Sequence, residues 1–86
     1  MTRRSLRMND SNMNDLYHHA TVVSGYIDVQ ASFEEVMSQP ISRNLFDGDV
    51  IDEGTYVTID FNQTEKNDIY EILEAFNRAG FEMWEA

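Results

Sequence analysis

The chain has 86 residues, with 16 Asp and Glu against 6 Lys and Arg, a formal charge of −10 and no cysteine. That length is one domain with one modest core, and the lack of thiols excludes a disulfide framework, thiolate metal sites and cysteine nucleophiles. Hydrophobic residues are 42% of the chain, enough to fold, and no apolar run approaches the roughly 18 residues of a membrane span, so a cytoplasmic, membrane-free protein without cofactor or metal is expected.

The charge is uneven. Arg3, Arg4 and Arg7 sit in a polar, Asn- and Ser-rich start, MTRRSLRMNDSNMND, which has no helical or strand period and reads as a disordered basic tail over residues 1–16. A single α+β domain is expected over residues 17–86. From Met8 onward three bases, Arg43, Lys66 and Arg78, face all 16 acids, hence −13. Such a field reaches about 8 Å at physiological salt. It attracts a basic partner and repels nucleic acid, whose affinity for proteins comes largely from phosphate neutralisation.

The first predicted strand runs over residues 21–29. Val23, Ile27 and Val29 share one face and Tyr26 and Asp28 the other, with Gly25 marking a bulge or a close backbone approach. Ser32 and Glu35 form a capping-box pattern ahead of a short helix with Phe33, Val36 and Met37 at i, i+3 and i+4. Pro40 ends it and opens a second short turn that carries Ile41, Leu45 and Phe46 inward. Val50 and Ile51 make a short strand, and Asp52-Glu53-Gly54 reverses the chain.

Residues 55–61 alternate cleanly, with Thr55, Val57, Ile59 and Phe61 on one face and Tyr56, Thr58 and Asp60 on the other. Asn62 or Thr64 is the expected cap of the next helix. Its apolar stripe is Ile69, Ile72, Leu73, Phe76 and Ala79, its Glu74 and Arg78 pair at i, i+4, and Gly80 stops it. Residues 81–86 alternate as a last strand. The order βαββαβ predicts a ferredoxin-like two-layer sandwich with the first and third strands central. The alternative is a three-stranded antiparallel sheet with two helices on one face.

In that sandwich one sheet face stays uncovered. It would carry Tyr26, Tyr56 and Trp84 interleaved with Asp28, Asp60 and Glu82, a mixture suited to a protein interface. Aromatic rings on open sheets also stack RNA bases, but carboxylates beside them oppose a phosphate chain. Asp47, Asp49, Asp52 and Glu53 form a second acidic patch. The calcium-loop pattern fails there, since Ile51 and Asp52 stand where a ligand and a glycine are needed.

These residues predict a small acidic inhibitor. It would cover a basic, nucleic-acid-binding surface of a partner such as a nuclease or a CRISPR or restriction effector, as phage-encoded inhibitors of similar size and charge do. Carboxylates would stand in for phosphates, the chain being a monomer or homodimer without direct nucleic-acid contact and without enzymatic activity. The alternative is a self-associating ferredoxin-like module that binds a small ligand between subunits. A third is a small enzyme using His18 or His19, which rests on residue inventory alone.

Overall fold

Met13, Leu16, Tyr17 and Ala20 recur at i, i+3, i+4 and i+7, the spacing of one helical face. In the computed structural model, which describes residues 10–86, that face folds inward. Helix α1 (Asp10–His18) buries Met13 and Leu16, and the Tyr17 ring meets Tyr70 edge-on at 5.5 Å. The tail expected over residues 1–16 is therefore corrected for residues 10–16. Asn14 and Asp15 face solvent, and burial of Met13 and Leu16 outweighs the weak helix propensity of their polar neighbours. Arg3, Arg4 and Arg7 lie outside the described residues.

Thr21, Val22 and Val23 look like strand because they are β-branched. Instead the helix widens into a π turn, His19–Val23. The His19 carbonyl accepts from the N–H groups of Ser24 (3.0 Å) and Gly25 (3.3 Å), and the Thr21 hydroxyl donates to the Tyr17 carbonyl (2.8 Å). Of this turn only Ala20 is buried, and Val23, expected in the core, is 60% exposed. Gly25 then reverses the chain at φ +81, and an added Cβ would collide with the Asn62 side chain. The approach is to a side chain just ahead of β1, not the bulge or close backbone approach expected inside a strand, and the conformation is one that favours glycine.

The sheet has four antiparallel strands in the order β2-β3-β1-β4: β1 (Tyr26–Val29), β2 (Val50–Asp52), β3 (Val57–Asp60) and β4 (Met83–Glu85). Ile27 pairs with Ile59, Val29 with Val57 and Met83, and Val50 with Ile59, so the centre of one face is apolar, with exposed Asp52 and Glu85 at the ends of the outer strands. The long helix α3 (Lys66–Arg78) lays Ile69, Ile72, Leu73 and Phe76 on it. Helix α2 (Phe33–Met37) adds Val36, and α1 adds Leu16, to the same core. Together they make a small α+β domain with three helices on one side of an open sheet.

The capping box is present. The Ser32 hydroxyl accepts from Glu35 N–H and the Glu35 carboxylate from Ser32 N–H, both at 3.1 Å. Neither Asn62 nor Thr64 caps α3; Glu65 stands at that position without a side-chain cap bond. Asn62 instead joins the turn before it, donating from both its backbone N–H and its amide to Asp60 (2.9 and 2.8 Å). Leu45 is buried as expected. Phe46 is not: its backbone N–H is tied to the Asp49 carboxylate (3.0 Å) and its ring is 74% exposed.

Candidate functional site

Strand pairing sets the open face by parity, because successive side chains point to opposite sides. One row crosses all four strands: Ile51, Thr58, Asp28 and Trp84 stand opposite one another in turn. Tyr26 stands opposite Asp60, two residues to one side of that row. Tyr56 lies two residues to the other side, where the Glu53 N–H donates to its carbonyl at 3.0 Å and closes the β2–β3 turn. Gln30 reaches across to the Thr55 carbonyl (2.9 Å) and holds that turn against β1.

These residues enclose an open concavity of about 400 Å³. Tyr26 and Tyr56 flank it, Asp28 and Thr58 form its floor, and Glu53, Glu85 and Ala86 stand at its rim. The Thr58 hydroxyl donates to Asp28 Oδ1 at 2.5 Å. Asp28 is only 2% exposed, since it sits on a central strand between Thr58 and Trp84. A buried carboxylate carries a large desolvation cost, which this hydroxyl bond partly offsets.

The structure thus brings together four of the residues expected to bind a partner: Tyr26, Asp28, Tyr56 and Glu53. Two expectations change. Trp84 lies on the open face and outside the main core, yet is only 8% exposed, and Asp28 is a floor rather than a projecting charge. For Asp28 the cause is its place on a central strand, shaded by Thr58 on one side and Trp84 on the other. Asp60 and Glu82 are on the same face but do not line the concavity, Asp60 being engaged by Asn62.

In the acidic turn, Asp49 holds Phe46 N–H and Asp52 accepts from Gly54 N–H at 2.9 Å. Both carboxylates therefore shape the backbone, while Asp47 and Glu53 are exposed. Glu85 is a lining residue that sequence reasoning did not single out, because its parity places it with Ile27. Exposed Phe46 and Ile51 were also missed; no local signal separates them from core residues.

His18 is exposed and His19 half-buried. The His19 ring, the Ser24 hydroxyl and the Ala86 carbonyl form one hydrogen-bonded cluster that ties the end of β4 to the start of β1. Among the described residues no group of three or more His, Asp or Glu is placed to hold a metal ion, and no helix is long and apolar enough to cross a membrane. No protein-family model, curated protein or solved structure matches the chain, so the functional reading rests on its own residues.

Proposed function

We propose that the chain is a small acidic binding protein whose open sheet face, with the 47–53 turn beside it, docks on a basic, nucleic-acid-holding surface of a partner and blocks it. The observation that carries this reading is the lining of the concavity: among the described residues, two tyrosines and three carboxylates, with no Lys, Arg or His. Aromatic rings are efficient interface anchors, and carboxylates beside them select a positively charged partner. The three described cations lie elsewhere, Arg43 in the turn Pro40–Asn44 and Lys66 and Arg78 at the two ends of α3.

A net charge of −10 speeds encounter with a basic surface by about 10–1000-fold and disfavours nucleic acid as the direct ligand. The partner class that fits is a nuclease or a CRISPR or restriction effector, where Arg and Lys arrays await phosphates. A ferredoxin-like plan belongs to the same proposal. What supports it is the strand order, with β1 and β3 central and β2 and β4 outside. Helix α1 and the short α2 are departures from that plan.

The test is displacement of labelled DNA or RNA from a panel of such nucleic-acid-handling proteins. The expected result is competition with at least one of them, weakening at least tenfold between about 50 and 200 mM salt. Charge reversal at Asp47, Glu53 and Glu85 together should abolish it. No competition with any member, or competition untouched by that triple reversal, refutes the proposal.

A further inference from the structure

We propose that the outer edge of β2 is a docking site for one extended strand of a basic polypeptide, added to the sheet through backbone hydrogen bonds. This rests on the docking reading above for the sign of the partner's charge and names the contact that holds it. β2 is an outer strand, so β3 pairs only one of its sides. The register fixes what the other side offers. The Glu53 N–H donates to the Tyr56 carbonyl, and hydrogen-bonded pairs recur at every second residue of an antiparallel ladder, so Ile51 exchanges its bonds with Thr58. Val50 and Asp52 therefore turn their backbone groups outward. The Val50 N–H curls back to the Asp47 carbonyl, as that direction requires. The Val50 carbonyl and both backbone groups of Asp52 stay on the edge, and among the described residues no strand covers them. Such a row of outward donors and acceptors is what an added strand pairs with.

The side chains along this edge select the strand it admits. Asp47, Asp49, Asp52 and Glu53 flank it or lie on it, and no Lys, Arg or His occurs between Arg43 and Lys66. A second copy would set these carboxylates against their own kind, and a nucleic acid would set phosphates against them. A strand bearing Lys or Arg meets complementary charge instead. Phe46 and Ile51 add apolar contact: the Phe46 ring stands in solvent while Asp49 holds its backbone, and Ile51, 42% exposed, ends the open-face row. Side chains of an added strand alternate, so aliphatic ones would lie beside Ile51 and basic ones beside Asp52. The opposite edge offers no equal, because Met83 and Trp84 of β4 are buried and the Ala86 carbonyl is engaged by His19 and Ser24.

The experiment is an NMR titration of the isotope-labelled full chain with a short capped peptide that alternates valine with lysine and arginine. Its comparators are the same peptide N-methylated throughout, which keeps the charge and loses every backbone donor, the same peptide with glutamate for each base, and a single-stranded oligonucleotide. The expected result is saturable shifts centred on residues 46–52 with the basic peptide. Amide exchange at Asp52 should slow about tenfold or more, while Ile51, already paired with Thr58, changes little. The N-methylated peptide should bind about tenfold more weakly or worse, and the glutamate peptide and the oligonucleotide should not bind. Phe46→Ala and Ile51→Thr, both at exposed positions, should each weaken binding about threefold, while Glu71→Gln on exposed α3 surface should leave it unchanged. Equal binding of the N-methylated peptide, shifts centred on Tyr26 and Trp84, binding of the oligonucleotide, or self-association through residues 50–52 would each overturn the edge site. If the chain displaces nucleic acid from a partner while the peptide leaves residues 50–52 unmoved, the edge site fails and the docking reading stands. If the peptide adds to β2 as described but no nucleic-acid-handling protein is engaged, the edge site stands and the choice of partner fails.

Discussion

Leu16→Ala tests whether the N-terminal helix is part of the folded body. Leu16 is 0% exposed and belongs to the main core with Ala20 and Met13 beside it. The substitution deletes three buried carbons, about 2.4 kcal/mol of transfer free energy at ~0.8 kcal/mol each. The unfilled cavity raises the total to about 3–5 kcal/mol. A domain of this length has roughly 4–13 kcal/mol of stability, so about a third of it or more is at stake. A loss near 4 kcal/mol lowers Tm by roughly 16–32 °C. Urea titration followed by circular dichroism and by the fluorescence of Trp84, the single tryptophan, measures it, with Asn14→Ala as an exposed control expected within about 0.5 kcal/mol. A loss under about 1 kcal/mol for Leu16→Ala would mean that α1 behaves as a solvated tail and that the packing argument is wrong.

Gly25→Ala should destabilise by roughly 2–3 kcal/mol, from the positive φ and the collision with Asn62. In an Asn62→Ala background the penalty should shrink toward the backbone part alone, so an equal penalty in both backgrounds in urea titration would remove the steric half of the account. Ser32→Ala should cost about 1 kcal/mol through loss of the capping box, and Glu35→Gln should retain most of it because an amide oxygen can still accept from Ser32 N–H. Thermal melts showing Ser32→Ala unchanged would place the start of α2 under tertiary control instead.

The elements with one strong local period were legible. The stripe Ile69, Ile72, Leu73 and Phe76 marked α3, and Val57 and Ile59 marked β3, because each buries one side over several turns or residues. The Ser32 and Glu35 pair marked α2 for a related reason: a cap is a contact between residues three apart. The period of α1 was equally regular, but it straddles a polar stretch and a β-branched run, and each half pointed elsewhere. Val23 and Phe46 are the converse, apolar side chains left outside by a π turn and by an Asp49 bond to the backbone.

The site divides in the same way. Alternation in the strands assigned Tyr26, Asp28, Tyr56 and Thr58 to the uncovered face, and counting charges showed that face to be acidic, since both are properties of neighbouring residues in the chain. Depth was another matter. Whether Asp28 projects or forms a floor, whether Trp84 is an anchor or is shaded, and whether Glu85 joins the rim depend on which strands flank which and in what register. Those are relations between residues some thirty to sixty positions apart. No local pattern encodes them, because the free energy that selects them is the burial of all the elements at once.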